Sequence, residues 1–356
     1  MAAEPAGHRL ATVAPGGALN PPATQPQVRL HKGRACSVPV CGGGSLHVHI
    51  HHHVCTGHLT HSLTPLNPLK TSLNPSESLE ALSRLVEQPE WILTISHIFA
   101  HAHTAPLPLR QLAGLLVKNE AFAHLAAMNH DCQVQVKAHM LVALAAPQPA
   151  LRSTAATLVA QYSAAFPLTH WTDLLAQIGS TVGTGAAGVA AAAAAAEVEA
   201  EAALHGAMSA LHRICEDSLE KLFMEGEKAM LEALLGSVLH LLGHQDPTIA
   251  LLAIQTFTST LWMLDSRGRA SRVGISTFLD AFVHGIGALA NDPRPSIRVE
   301  VCKAVTELMS VHYKVLGPSL DPMCTFMLAK MTDASAGVVM EACEMFRILA
   351  TKVQPT

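Results

Sequence analysis

The chain is poor in charge and in aromatic rings. Of its 356 residues, 14% are Asp, Glu, Lys or Arg and 4% are Phe, Trp or Tyr. With 23 Lys and Arg against 27 Asp and Glu, it lacks the basic excess that neutralises phosphates, so nucleic acid is not an expected partner. Its eight cysteines, Cys36, Cys41, Cys55, Cys132, Cys215, Cys302, Cys324 and Cys343, form no CxxC pair. Free, mostly buried thiols in a reducing compartment are expected. The longest run without Asp, Glu, Lys, Arg or His, Leu174 to Ala196, is mostly Ala, Gly, Ser and Thr and contains Gln177. Such residues gain little on entering hydrocarbon, so neither a membrane span nor a membrane partner is expected.

Catalytic signatures are missing too. There is no Walker A sequence, no H-E-x-x-H and no G-x-S-x-G elbow, and the reading is of a non-enzyme without a cofactor. Gly183, Gly185 and Gly188 satisfy G-x-G-x-x-G, but the helical spacing of Leu174, Leu175 and Ile178 precedes them where a dinucleotide site needs a strand. A Gly/Ala-rich insertion at 180–201 is the expectation there. His205, His212, His240, His244 and His284 lack a nucleophile at defined spacing and read as helix-face or turn residues.

Residues 1–75 hold nine Pro, eight Gly and nine of the 22 His, with Glu4 as their one acid. This composition cannot bury enough surface to offset its ordering entropy, and a disordered leader is expected. The histidines at 47, 49, 51, 52, 53, 58 and 61 are competent metal ligands, but their spacing fits no closed tetrahedral site. No specific metal site is expected anywhere in the chain.

From Ser76 onward, apolar residues at helical spacing recur behind turn-like punctuation. The stripes open at Leu109, Leu151, Ile249, Ile297 and Val339, with Leu112, Ala113 and Leu116 following the first and Ala342, Cys343 and Phe346 following the last. The intervals 109 to 151 and 297 to 339 are both 42 residues, and 249 to 297 is 48. A further stripe, Leu204, Ala207, Met208, Leu211 and Cys215, stands in the long gap, and partner helices fall between at 132–145, 171–178, 227–242, 276–290 and 320–331. A period in the forties with two helices per unit predicts an all-α chain, a HEAT/armadillo-like α-solenoid of antiparallel helix pairs over 76–356 with about six repeats. Asp246-Pro247 and Asp292-Pro293 place a capping acid and a helix-ending proline at two junctions. Trp171 and Trp262 are expected to pack between hairpins, and Cys215, Cys302 and Cys343 to lie in the core. One hairpin cannot bury its apolar face alone, so stacking follows, and stacking generates a surface for a partner.

Several strings are more specific. Leu109 to Glu120, LRQLAGLLVKNE, resembles the second-repeat inner helix of importin-β type karyopherins. Trp171 to Leu175, WTDLL, resembles that family's W-P-D-L-L helix start. Ala207 to Leu222, with Ile-Cys-Glu-Asp-Ser at 214–218, and the VCKAV and MEACEMF strings between Val299 and Phe346 resemble repeats of the transportin branch. The resemblance covers about residues 78–350. It implies a nuclear import receptor, shared between cytoplasm and nucleus, with Ran-GTP, nucleoporins and cargo bearing a nuclear localisation signal as partners. By the same resemblance Lys118 and Asn119, then Glu216 and Asp217, are Ran-binding candidates on inner helices.

The first repeat departs from the family pattern, with Trp91 to Ala100 keeping only part of a helix signal before His101 and His103. The chain also ends near the sixth or seventh repeat, before the acidic loop and carboxy-terminal arch that bind cargo in that family, so cargo binding by this chain alone is the least supported expectation. A solenoid ending without a polar cap is expected to self-associate. A HEAT scaffold that holds a signalling or phosphatase complex without regard to nucleotide is the alternative.

Overall fold

The structure is a computed structural model, and it describes residues 91–125, 127–187, 194–225, 228–261, 275–316 and 320–352. All lie within one compact unit, Leu73–Thr356. The leader and Trp262 fall outside the described residues.

The described residues form twelve α-helices and no strand. In chain order they are α1 Trp91–His101, α2 Leu107–Leu125, α3 His130–Leu144, α4 Pro149–Ala165, α5 Leu174–Ala186, α6 Ala194–Glu225, α7 Lys228–His240, α8 Pro247–Thr260, α9 Ile275–Ala288, α10 Pro295–Leu316, α11 Leu320–Lys330 and α12 Ala336–Lys352. A short 3-10 turn, Leu168–Trp171, leads into α5. Each odd helix packs on the even helix that follows it, and each even helix packs on the next, from α2 to α12. The chain is a HEAT-type stack of helix pairs whose even helices form one unbroken layer.

The repeats bury what the periodicity marks. Leu151, Leu158, Met208, Leu211, Ile249, Phe257, Ile297 and Leu308 are all sealed from solvent between neighbouring pairs. Each such side chain contributes about 1.5 to 3 kcal/mol by leaving water. Aromatics are used sparingly and centrally: Phe257 of α8 stacks on Phe282 of α9 at 4.4 Å, and Trp171 meets Tyr162 edge-on at 5.2 Å.

Junctions carry the polar work. Asn129 caps α3 by accepting the Cys132 N–H at 2.8 Å, and Asp246 caps α8 by accepting the Thr248 N–H at 2.7 Å with Pro247 in the first turn. Asp292 and Asp333 close the equivalent turns, accepting from Arg294 N–H and Ser335 N–H, both at 2.9 Å. Opposite them, arginines near the start of even helices bond carbonyls at the end of the preceding odd helix or in the turn that follows it. Arg110 donates to Phe99 and Ala100, Arg152 to Ala146 and Pro147, and Arg298 to Asp292 and Pro293. A cation at a helix C-terminus meets carbonyls without intrahelical partners and the negative end of the dipole. Lys221 does the same at the end of α4, donating to Ser163, Ala164 and Phe166 carbonyls.

Three sequence expectations need correction. Along α2 the buried residues include Arg110, Ala113, Gly114, Val117 and Leu125, while Leu109 and Leu112 are 49% and 51% exposed. The helix is turned by one residue because Gly114 must face the Phe99 ring, where a Cβ would come within 2.6 Å, and because Arg110 must reach its carbonyls. In α12 the buried residues are Val338, Ala342 and Met345, and Cys343 is exposed. Trp91–His101 is a full helix with Trp91, Ile92, Ile95 and Phe99 buried, so the first described pair is not eroded. Gly183 and Gly185 sit inside α5, which continues helical to Ala186, and α6 begins at Ala194.

Candidate functional site

The four binding candidates all fall on even helices. Asn119 is exposed and Lys118 half-buried on α2; Glu216 and Asp217 are exposed on α6. The two pairs are not neighbours, because α4 packs between α2 and α6. They share a layer whose outer side is open to solvent, separated by two interhelical steps or roughly 20 Å.

The two ends of this face differ in chemistry. On α2, Leu109, Leu112 and Leu115 are exposed, giving an apolar ridge with the polar Asn119 exposed beyond it. On α6, Ala194–Glu225 carries seven Asp and Glu against Arg213 and Lys221 alone among lysines and arginines. Lys221 is committed to the α4 carbonyls, so the free face of α6 is acidic. His212 lies under that face, its Nε2 3.4 Å from Glu216 Oε1. Burial holds the ring below its ordinary value, opposed by Glu216 and, from α10, by Glu300. Further along, burial pushes the Glu341 carboxyl up, with Glu300 and Glu344 adding to the effect and Lys303 opposing it. Carboxylates therefore follow one another across α6, α10 and α12.

Helix α6 is bent within the Ile-Cys-Glu-Asp-Ser string. Ser218 leaves helical geometry at φ −142° and ψ 22°, and its buried Oγ has no partner. Cys215 beside it is fully buried, and burial pushes its thiol up to about 12, so it packs as an apolar side chain.

Sequence reasoning missed a second cluster on the odd layer. His97 and His101 stand one turn apart on α1, and His139 reaches them from α3. Ring centroids lie 5.0, 5.4 and 5.1 Å apart, and one nitrogen from each ring lies within 4.8 Å of the others. Burial, with the neighbouring histidines adding, holds His139 down to about 4, and burial lowers His101 as well. The H-x-x-x-H spacing of 97 and 101 was the available signal; the third ring comes from a contact that no spacing announces.

No helix among the described residues is long and apolar enough to cross a membrane. An open cleft between α5, the start of α6 and the end of α7 is lined by Ser180, Thr184, Glu201, Leu204, His240 and His244.

These features define a class: an α-solenoid of stacked helix pairs with a continuous layer bearing an apolar and an acidic stretch. No protein-family model matches the chain. The chain is similar to mouse Transportin-1, at 26% identity over 290 residues, and to Importin subunit beta-2 of Schizosaccharomyces pombe, at 23% over 286 residues. The matches cover 80% and 79% of this chain but only 30% and 29% of the relatives, so it spans about a third of their length. Yeast importin-β, Kap95p, shares the fold with a TM-score of 0.64 at 16% identity, over 79% of this chain and 33% of that one. Kap95 in complex with Nup1 and Kap95p in complex with RanGDP match with TM-scores of 0.62 and 0.59 at 15% and 14% identity. Each covers 80% of this chain, against 33% and 32% of the other. The resemblance to transportins and importin-β karyopherins is thus found in sequence and in fold. The relatives bear the names of transport receptors rather than of enzymes.

Proposed function

We propose that the chain works as a transportin-like import receptor, or part of one, and binds Ran-GTP through the exposed face of its even helices. The observation that carries the reading is the acidic run on α6, within the string most like transportin, on the layer that also holds the α2 candidates. Glu216 and Asp217 would meet basic groups of the GTPase and steer its approach, while Lys118 and Asn119 would add polar contacts beside the apolar ridge of α2. A solved relative of the same fold is described with Ran and another with Nup1, which supports a GTPase and a nucleoporin as partners and a shuttling location between cytoplasm and nucleus. Cargo bearing a localisation signal belongs to the same reading. The test is a pulldown of the full chain with Ran loaded with a non-hydrolysable GTP analogue or with GDP. Preferential recovery of the GTP form supports the proposal; equal recovery, or none, overturns it and leaves a nucleotide-independent scaffold.

A further inference from the structure

We propose that His97, His101 and His139 form a binding site for a divalent first-row transition metal of the zinc class, which would tie α1 to α3. The donor set suits such a cation: imidazole nitrogen is a ligand for zinc, nickel and copper, and three protein ligands leave one position for water. Spacing fits as well. Tetrahedral zinc at about 2.0 to 2.1 Å from each nitrogen needs donors roughly 3.4 Å apart. One nitrogen of each ring already lies within 4.8 Å of the others, so the set closes on a cation by ring rotation rather than by bringing distant elements together. His97 and His101 share a helix face by the i, i+4 relationship, and His97 is exposed, which leaves an entry path.

A second observation concerns the tautomer. Ser96 Oγ lies 2.9 Å from the Leu93 carbonyl oxygen and 2.9 Å from His139 Nδ1. The hydroxyl has one proton and donates it to the carbonyl, so it accepts from His139, whose proton is therefore assigned to Nδ1. This leaves Nε2 with a free lone pair. An outer partner that fixes the ring and its tautomer in this way is what metal-ligating histidines require. Ser96 is buried, so the arrangement is held by the core rather than by solvent. Arg110, whose charge acts on His101, spends its guanidinium on the Phe99 and Ala100 carbonyls.

The test uses the full chain with the nine histidines of residues 1–75 replaced by asparagine, which silences the leader as a competing ligand. Cobalt is titrated as a spectroscopic probe, and zinc affinity is read by competition with a chromophoric chelator. The expected result is one equivalent of zinc, weakened at least 10-fold by H101Q or H139Q, and by about 10-fold or more by S96A through loss of the second partner. Because the exposed His97 can be changed without disturbing the core, H97Q is expected to show the same loss with unchanged circular dichroism. Absence of a stoichiometric cobalt band, or equal zinc affinity in the parent and H97Q chains, overturns the site.

Discussion

Arg298 at the start of α10 grips Asp333, in the turn before α12, with two parallel hydrogen bonds: Nε to Oδ2 at 2.9 Å and Nη2 to Oδ1 at 2.8 Å. The same guanidinium donates to the Asp292 carbonyl at 2.8 Å, so one side chain joins the turn of its own repeat to the next. Lys330 Nζ stands 3.9 Å from the same carboxylate, and Asp333 also accepts the Ser335 N–H. A fork-shaped, charge-assisted pair fixes orientation as well as proximity, which is what a stack needs at each step.

The pair predicts an acid-side dependence. Hydrogen bonding from Arg298 holds the Asp333 carboxyl down to about 2, against an ordinary 3.8. Between those values the unfolded chain binds more protons than the folded one, so stability rises with pH through this window and is fully present above it. Urea unfolding between pH 2 and 5 is expected to show a shallower slope for D333N than for the parent chain. A double-mutant cycle of R298A and D333A is expected to show positive coupling, and simple additivity would mean that the contact links nothing.

Gly206 is the tightest crossing. A Cβ there would lie 1.9 Å from the Leu144 carbonyl oxygen, a backbone atom that cannot swing aside. G206A is expected to cost about 3 kcal/mol by forcing α6 away from the end of α3. Gly243, with nothing within 4 Å of its built Cβ, is the control, and G243A is expected to change stability by less than about 0.5 kcal/mol. Both values come from urea midpoints.

At Ser218 the sign reverses. Its buried hydroxyl has no partner, and an unsatisfied polar group is costly to keep. S218A is therefore expected to leave stability unchanged or raise it by up to about 1 kcal/mol in the same assay.

On the proposed binding face, E216Q with D217Q removes two negative charges without touching the core. Surface charges act chiefly on encounter, so the association rate of Ran-GTP is expected to fall several-fold at low salt while dissociation changes little. The difference is expected to vanish as salt screens it. Stopped-flow fluorescence at two ionic strengths measures both.

Much of the architecture was legible because one quantity, the spacing of apolar residues, sets both helix and repeat. Leu151, Ile249 and Ile297 open stripes that are buried as read. The register of α2 and α12 was not legible, because it depends on what the opposite surface permits: the Phe99 ring selects Gly114, and nothing in the local pattern of Leu109 and Leu112 says so. The arginine clasps were within reach, since Arg110, Arg152 and Arg298 each directly follow a stripe-opening residue. The histidine cluster was half visible, as His97 and His101 are one turn apart while His139 arrives through the packing of α3 on α1. For the four binding candidates, the structure adds the order of packing, with α4 between the helices that carry the two pairs.

Hydrogen exchange of the full chain, free and with Ran bound to a non-hydrolysable GTP analogue, tests the central claim most directly. Added protection in α2 and α6, with α1 and α3 unchanged, is the predicted result. Protection confined to the odd helices, or none at saturating Ran, would contradict the assignment of the even layer as the face that binds protein.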